Sequence, residues 1–269
     1  MMRLEKKTAK LKKILLDCRS CIIAFSGGVD STFLLKAATL VLPRERILAV
    51  TAYSPAYPKD ELIFSKNIAR RLRVRHKIIR TGELKDKRFI SNPANRCYFC
   101  KKELFARLKE MALKSKLDVV LDASNLSDKS DLRPGNIAKQ EYKIRSPLQE
   151  AGFTKEEIRR VSKELGLGTW DKPSLACLAS RVPYGTKISP RLLNRINQAE
   201  VYLKKIGFRQ VRLRHYNGLC RIEVEQRDIL RLISKRKQVV DKLKKLGYNY
   251  VTIDLEGYRT GSMNEGIKR

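Results

Sequence analysis

The chain has 269 residues, of which 42% are hydrophobic and 32% are charged, a balance typical of a globular protein with a sizeable core. No apolar run approaches the roughly 20 residues that cross a bilayer, and the basic N-terminus lacks a signal-peptide pattern, so we expect a cytoplasmic protein with no membrane span. The six cysteines then indicate thiols or metal ligands, because disulfides are rare in the cytoplasm.

The net charge of +31 is large, but the excess of lysine and arginine is spread along the chain instead of forming a basic tail. Two explanations are open: a generally lysine-rich surface, or binding of a polyanion such as RNA. A small phosphorylated substrate would need only a few of these charges. We therefore expect an anionic small molecule as the partner, and the sequence disfavours nucleic acid without excluding it.

The first two-thirds of the chain alternates apolar strands with helices. Strands are predicted at 21–26, 46–52, 74–79 and 118–122, and helices at 32–41, 59–72, 98–113 and 154–165. The last of these helices opens with a capping-box pattern, Thr154 followed by Glu157. This alternation predicts an α/β domain over residues 1–180, with a parallel sheet and helices on both faces.

The rhythm changes after residue 180. A helix is predicted at 190–206, two strands at 211–216 and 220–225, a long helix at 228–246 and a final strand at 250–255. The two strands are joined at Asn217-Gly218, a hairpin signal. The order predicts a small α+β domain over residues 181–269, which we assign to substrate binding or oligomerisation, and we expect a homo-oligomer.

A glycine turn follows the first predicted strand, in the segment CIIAFSGGVDSTFLL. Gly27 and Gly28 let backbone amides approach phosphate oxygens, and Ser26 and Ser31 add hydroxyl donors at the start of a helix. Asp30 would repel phosphate at a simple anion site, but it is explained if it holds Mg²⁺ that bridges to a pyrophosphate. The turn alone could be merely structural, and it matches neither the common ATPase loop nor the dinucleotide-binding pattern.

The full string SGGVDS resembles the loop of the N-type ATP pyrophosphatases, whose fold is of the adenine nucleotide alpha hydrolase type. That group includes GMP synthetase, NAD synthetase and tRNA thiolation enzymes. The resemblance implies that ATP and Mg²⁺ bind here, with Thr51 near the adenosine and Ser124 and Asn125 on the nucleotide side. Both segments follow strands, where open α/β sheets bind ligands, although Ser124-Asn125 could also be an ordinary polar turn.

Three cysteines are candidate metal or cluster ligands. Cys97 and Cys100 are one turn apart at the start of a predicted helix, and Cys177 lies in a later loop. Because a structural zinc site usually has four ligands, three thiolates would leave one coordination position open for chemistry. A rival pair, Cys18 and Cys21, has the same spacing; we interpret Cys21 as a core residue and Cys18 as incidental.

Nearly the whole chain resembles the LarE family of sulfur transferases, which build the nickel-pincer nucleotide cofactor of lactate racemase. The resemblance runs in order through FSGGVDS, NPANRCYFCKKELF, ASNLSDKSDLRPG, WDKPSLACLASRVPYG and DLEGYRTGSMNE. It implies that ATP adenylates a carboxylate of a pyridinium dicarboxylate mononucleotide. A sulfur nucleophile then displaces AMP and leaves a thiocarboxylate.

The family implies two alternative sources of sulfur. In one branch a single cysteine, matching Cys177, gives up its own sulfur and becomes dehydroalanine. In the other branch three cysteines hold a [4Fe–4S] cluster whose fourth iron carries an exchangeable sulfide. The additional Cys97 and Cys100 favour the cluster, with an external sulfide donor as a further partner.

The resemblance also implies a set of residues that bind anionic groups of the substrate: Ser180, Arg181, Glu200, Arg212, Arg214 and Arg259. Arg212 and Arg214 are two apart in a predicted strand and so face the same side. Each residue of this set could instead be a solvated charge in a very basic chain.

Two rival functions are open. A tRNA thiolation enzyme would share the loop, the three cysteines and the basic surface, but we find no zinc-ribbon pattern and no recognisable RNA module. A non-catalytic nucleotide-binding protein would have a degenerate site, and the intact Asp30 and the three cysteines argue against it.

Overall fold

The computed structural model describes residues 2–128, 134–173, 176–259 and 261–264. Parts of three segments noted above, residues 129–133, 174–175, and 260 with 265, therefore lie outside the described residues. The chain divides into two compact units, Met1–Lys85 with Asn95–Leu175, and Asp86–Ala94 with Ala176–Arg269. In the described ranges no helix has the length and apolar character needed to cross a membrane.

The helices of the described chain are α1 (Met2–Asp17), α2 (Val29–Thr39), α3 (Lys59–Arg71), α4 (Lys87–Ile90), α5 (Arg96–Lys114), α6 (Gly135–Glu141), α7 (Pro147–Glu150), α8 (Lys155–Glu164), α9 (Pro190–Lys205), α10 (Ile229–Ser234) and α11 (Arg236–Lys245). The strands are β1 (Cys21–Ala24), β2 (Ile47–Tyr53), β3 (Arg75–Arg80), β4 (Val119–Leu121), β5 (Val211–Tyr216), β6 (Leu219–Val224) and β7 (Tyr250–Ile253).

The first unit contains a four-stranded sheet in the order β3-β2-β1-β4, and every strand pair in it is parallel. In the register of the central strand, Ile22 lies opposite Leu48 on one side and Val120 on the other. Such strands are buried on both faces, which explains why the sequence shows short apolar runs here without polar alternation. The predicted parallel α/β sheet is confirmed.

Helices cover both faces of this sheet. Successive side chains of a strand point to opposite faces, and Cys21 and Ile23 accordingly join one apolar cluster whereas Ile22 joins another. The first cluster includes Leu15 of α1, Phe33 of α2 and Ile158 of α8. The second cluster includes Phe105 and Leu108 of α5. The predicted covering of both faces by helices is therefore confirmed.

The start of α8 confirms the predicted capping box. The Thr154 hydroxyl accepts from the Glu157 amide at 3.3 Å, and the Glu157 carboxylate accepts from the Thr154 amide at 2.8 Å. Lys7 of α1 forms an ion pair with the same Glu157 at 2.7 Å. The first residues of α8 are thus held firmly by their own cap and by a second helix.

The second unit contains a mixed three-stranded sheet in the order β5-β6-β7. β5 and β6 form the predicted antiparallel hairpin, with Asn217 in the left-handed conformation at φ 46°, while β6 and β7 are parallel. The single helix predicted over 228–246 is wrong: α10 and α11 are separate and break at Lys235. The Ser234 hydroxyl donates to the Arg231 carbonyl at 2.8 Å, a local bond that competes with helical hydrogen bonding.

The second unit includes an inserted segment, Asp86–Ala94, that lies far from the rest of the unit in the sequence. The Asn92 side-chain amide donates to the carbonyls of Val182 and Pro183, at 3.3 and 2.7 Å. The Ile188 amide also donates to the Ile90 carbonyl at 2.9 Å. The unit resumes at Ala176, five residues before the domain boundary that the sequence suggested.

Candidate active site

The glycine turn joins β1 to α2 in the first unit. Gly27 has φ +68°, and a Cβ atom at this position would lie 3.1 Å from the Cα and Cβ atoms of Ser65 in α3. Only glycine meets both conditions without strain. Gly28 is the N-cap residue of α2 and has an extended conformation. The first amides of a helix have no intrahelical partner, so this end of α2 is suited to an anion.

Hydroxyl groups hold this turn in shape. The Ser26 and Ser31 side-chain oxygens are 3.1 Å apart, and the Ser26 hydroxyl accepts from the Gly28 amide at 3.3 Å. The Ser31 hydroxyl also lies 3.2 Å from the Gly28 carbonyl, to which it can donate. The Tyr57 hydroxyl, not singled out in the sequence, donates to the Ser26 carbonyl at 2.7 Å. The predicted loop residues therefore do come together in one hydrogen-bonded turn.

Asp30 lies in the first turn of α2 and has two partners. Its Oδ2 atom forms an ion pair with the Lys155 ammonium at 2.5 Å, and its Oδ1 atom accepts from the Asn125 side-chain amide at 3.4 Å. Asn125 is itself oriented by the Ser127 amide, which donates to its Oδ1 atom at 2.9 Å. The structure thus brings the predicted Asn125 to Asp30 and adds Lys155, for which the sequence shows no pattern.

Two other residues predicted for the nucleotide site have internal partners. The Ser124 hydroxyl donates to Asp122 at 2.7 Å. Thr51 is 1% exposed; its hydroxyl donates to the Phe25 carbonyl at 2.7 Å and lies 2.8 Å from the His76 Nε2 atom. Burial, with a smaller contribution from a nearby lysine, lowers the pKa of His76. The Thr51 side chain thus supports the end of β1.

Lys172 approaches the turn from a different segment. Its ammonium group lies 2.6 Å from the Glu61 carboxylate, 3.2 Å from the Gly27 carbonyl and 3.5 Å from the centre of the Phe64 ring. The Arg159 guanidinium fixes the backbone of this segment by donating to the Lys172 carbonyl at 2.8 Å. The two lysines are the functional candidates that sequence reasoning missed, because only the tertiary fold brings them to the turn.

The candidate ligand cysteines are accessible. Cys97 is exposed in the first turn of α5, Cys100 is half-buried one turn later, and Cys177 is exposed in the second unit. A helix N-terminus stabilises thiolates, which are the reactive and metal-binding form. Among the residues that the structure describes, no group of three or more His, Cys, Asp or Glu side chains is arranged to bind one metal ion. A cluster held by all three cysteines therefore stays a prediction.

The other cysteines are buried. The Cys18 thiol donates to the Ile14 carbonyl at 3.1 Å, and burial raises its pKa. Burial also raises the pKa of Cys21 to about 12, with a contribution from Cys18, and that of Cys220 to about 12. Thiols with such pKa values stay protonated and unreactive.

Arg181 and Glu200 form a buried ion pair in the second unit. Two parallel hydrogen bonds of 2.9 Å join them, and the two residues are 1% and 3% exposed. Burial opposes both charges, but the mutual attraction outweighs it, so the pKa of Arg181 is raised and that of Glu200 is lowered. Arg181 also donates to the carbonyls of Ala176 and Cys177, at 2.7 and 2.9 Å.

A second buried pair joins β5 to β6. Arg214 donates to both carboxylate oxygens of Glu223, at 2.8 and 2.7 Å, and to the Ser180 carbonyl at 3.0 Å. The Ser180 hydroxyl in turn donates to the Cys177 carbonyl at 2.8 Å. The backbone of Cys177 is therefore held by the Ser180 hydroxyl as well as by Arg181.

Arg212 lies in the same cluster of charges. It is 5% exposed, and its guanidinium carbon lies 5.3 Å from the centre of the Tyr258 ring. Burial, and then the nearby Arg181, lowers the pKa of Arg212. Arg259, the remaining predicted arginine, is less buried and forms ion pairs with Glu256 and Asp254 at 2.7 and 3.6 Å.

Five buried charged side chains of the second unit form what we call the arginine cluster: Arg181, Glu200, Arg212, Arg214 and Glu223. Each is at most 5% exposed, and the weakly polarisable surroundings strengthen the electrostatic interactions among them. Such a cluster is suited to a carboxylate or phosphate group of a ligand.

Comparison with known proteins places this chain in a family. No family model matches it. The pyridinium-3,5-bisthiocarboxylic acid mononucleotide synthase of Lactiplantibacillus plantarum is 36% identical over 269 residues, which is 100% of this chain and 98% of that protein. The chain belongs to the LarE family.

Two uncharacterized proteins are also similar over their full length. One from Synechocystis is 40% identical over 99% of this chain and 100% of its own length. One from Methanocaldococcus jannaschii is 31% identical over 95% of this chain and 98% of its own length. These lengths include both the glycine turn and the arginine cluster. The resemblance to the LarE family therefore extends over both units of the chain.

Proposed function

We propose that this protein is an ATP-dependent sulfur transferase that converts a carboxylate of a pyridinium dicarboxylate mononucleotide into a thiocarboxylate. The observation that carries the proposal is the glycine turn at the start of α2, with Asp30 and two lysines beside it. The name of the full-length relative from Lactiplantibacillus plantarum, a bisthiocarboxylic acid mononucleotide synthase, supports the substrate class.

In the first step, a carboxylate oxygen of the substrate attacks the α-phosphorus of ATP, and pyrophosphate leaves. The backbone amides at the start of α2 would bind the leaving phosphates, and Ser26 and Ser31 keep the turn in the required shape. Asp30 fits a Mg²⁺ ligand, because its carboxylate is partly exposed and Mg²⁺ prefers one or two carboxylates together with phosphate oxygens. When bound, Mg²⁺ would stabilise the charge on the leaving pyrophosphate.

In the second step, a sulfur nucleophile attacks the acyl-adenylate carbon, and AMP leaves with the electrons of the broken C–O bond. The exposed Cys177 is the nucleophile or a sulfur-site ligand, and its backbone is held by Arg181 and Ser180. This anchoring lowers the entropy that must be lost when the side chain is aligned with the acyl group.

The donor set formed by Cys97, Cys100 and Cys177 fits a [4Fe–4S] cluster in its chemistry, since thiolates are the usual ligands of such clusters. The first two are accessible and one helical turn apart. The cluster would supply an iron with an open coordination position for sulfide. If no cluster is present, the Cys177 Sγ atom would form a thioester with the acyl group as AMP leaves. Loss of the Cα proton to a base would then form the Cα=Cβ bond and break the Cβ–S bond, which leaves dehydroalanine in the chain and releases the thiocarboxylate.

The arginine cluster supports an anionic substrate. Guanidinium groups pair with a carboxylate or with the phosphate of a mononucleotide through parallel hydrogen bonds. Because Arg181 and Arg214 are already held by Glu200 and Glu223, they would keep their geometry as the ligand binds.

Two variants separate the two steps. Asp30→Ala should slow pyrophosphate release at least about 100-fold, because it removes the metal ligand, and it should leave the fold intact. Cys177→Ala should release pyrophosphate at a near-normal rate but form no thiocarboxylate. The measurements are pyrophosphate release and mass spectrometry of the product, with Cys220→Ala as a control that should behave like the wild type. Unchanged pyrophosphate release in Asp30→Ala would exclude the adenylation site proposed here.

Measurements of iron content and polypeptide mass distinguish the two alternative sources of sulfur. Anaerobically isolated protein should carry about four irons per chain, and most of this iron should be lost in Cys97→Ser, Cys100→Ser or Cys177→Ser but not in Cys18→Ala. After turnover with sulfide, the mass of the chain should be unchanged. A loss of about 34 Da would identify Cys177 as a sacrificial sulfur donor and would overturn the cluster.

A further inference from the structure

Lys155 is the cation that contacts Asp30, and nothing in the proposed reaction has yet given it a role. Its ammonium group lies 2.5 Å from Oδ2 of Asp30, the carboxylate proposed above as a Mg²⁺ ligand. A carboxylate oxygen has more than one lone pair, but an ammonium group and a metal ion repel each other when both contact the same oxygen. The ion pair therefore competes with a metal ion for this atom.

The backbone of Lys155 is fixed while its side chain can move. The Lys155 amide donates to the Ser127 hydroxyl at 3.1 Å, and the capping box of Thr154 and Glu157 holds the same turn. The four-carbon stem above this anchor has several rotatable bonds, and its ammonium group has three donors. A change of rotamer could move the charge from Asp30 to a phosphate beside it without any backbone movement.

Stability does not explain this ion pair. The Lys155 and Asp30 side chains are 24% and 23% exposed, and pairs that share their environment with water contribute about 0–1 kcal/mol. The pair does, however, neutralise a carboxylate that would otherwise repel ATP. The ion pair therefore holds the Lys155 side chain at Asp30 in the absence of ligand, and it can be broken when another cation binds Asp30.

We propose that Lys155 competes with the divalent cation for the Asp30 carboxylate and, once displaced, binds the phosphates of ATP. The proposal rests on the proposed function, since it requires that Mg²⁺–ATP binds at this turn. It deepens that function by making metal binding and nucleotide binding depend on each other. The metal ion displaces the Lys155 ammonium group from Asp30, and the ammonium group then binds the triphosphate. Without nucleotide, a metal ion must still displace Lys155, but the displaced ammonium group has no phosphate to bind. The metal ion alone therefore binds weakly.

The test is binding of Mn²⁺, used in place of Mg²⁺, to the full-length protein, with free Mn²⁺ measured by electron paramagnetic resonance. Without nucleotide, Lys155→Met should bind Mn²⁺ several-fold more tightly than the wild type, because Asp30 is released. The same variant should bind Mg²⁺–ATP about 5- to 10-fold more weakly by calorimetry, because one phosphate contact is lost. Lys155→Arg, which keeps the ion pair, should bind Mn²⁺ like the wild type.

Lys163→Met is the matched control, because it removes the same charge from an exposed position of the same helix. Any general effect of net charge on Mn²⁺ or ATP binding should appear equally in this variant. If Lys155→Met and Lys163→Met agree within about twofold for both ligands, the proposal is wrong. It is also wrong if ATP binding weakens in Lys155→Met while Mn²⁺ binding stays unchanged, since competition for Asp30 is then absent.

These outcomes differ from a failure of the proposed function. If the wild-type protein does not bind Mg²⁺–ATP at all, the nucleotide site itself is wrong. If the wild type binds Mg²⁺–ATP but Lys155→Met shows no opposite changes in the two affinities, the nucleotide site stands and only the role of Lys155 is lost.

Discussion

Both units place charged pairs in their candidate sites, but the pairs differ in burial and in chemistry. The Asp30–Lys155 pair beside the glycine turn is about one-quarter exposed and is made by a single ammonium contact. The Arg181–Glu200 pair of the second unit is at most 4% exposed and is made by two parallel hydrogen bonds. Lysine is used at the partly exposed site and arginine at the buried one.

This difference in burial means that the Asp30–Lys155 pair can be broken more easily than the Arg181–Glu200 pair. A buried pair has lost its hydration, so removing either partner leaves an uncompensated charge, and the geometry stays fixed. A partly exposed lysine retains some contact with water and can leave its partner at a lower cost than a buried arginine. If the proposed function is correct, the first unit would bind ligands that exchange, and the second would orient an anionic group and Cys177.

The largest expected difference in stability is between variants that remove the carboxylate of each pair. Glu200→Gln should destabilise the protein by about 3–5 kcal/mol, because Arg181 then stays buried without its counter-charge. Asp30→Asn should change stability by less than about 1 kcal/mol, because Lys155 can turn to water. Urea denaturation of both variants at pH 7 measures the difference, and similar losses in the two variants would contradict the comparison.

A smaller effect is expected from the two glycines of the turn. Gly27→Ala should cost about 1–2 kcal/mol, because the residue has φ +68° and the new Cβ atom would press on Ser65. Gly28→Ala should cost less, since its φ is −78° and the nearest atom is the movable Ser26 hydroxyl. Thermal unfolding of the two variants compares them directly, and an equal loss would show that the turn does not depend on the left-handed residue.

The smallest expected effect is a difference in pH dependence. The pKa of Glu200 is lowered from its usual 4.5, because Arg181 outweighs the effect of burial. Its contribution to stability is therefore fully present above pH 4.5 and is lost as the pH falls through the lowered pKa of the folded state. Below pH 4.5 the wild type should lose stability more steeply than Glu200→Gln, as measured by urea denaturation at several pH values. Parallel curves would mean that the Glu200 pKa is not lowered.

Local patterns predicted much of the fold because they depend on neighbouring residues. The strand, glycine turn and helix around Ser26–Gly28 follow from chain geometry, and so does the capping box at Thr154. Arg212 and Arg214 were expected on one face of a strand, and both are buried in the arginine cluster. The break at Lys235 was missed, because no glycine or proline marks it in the sequence.

Contacts between distant segments could not be predicted in this way. The sequence by itself determined the parallel sheet, the glycine turn between β1 and α2 and the capping box of α8, because strand periodicity, glycine conformations and helix caps are local. Only the tertiary structure decided that Lys155 and Lys172 reach the turn, that Thr51 turns inward, and that Asp86–Ala94 belongs to the second unit. Those outcomes depend on which segments pack together, and packing is a property of the whole chain and not of any short stretch of it.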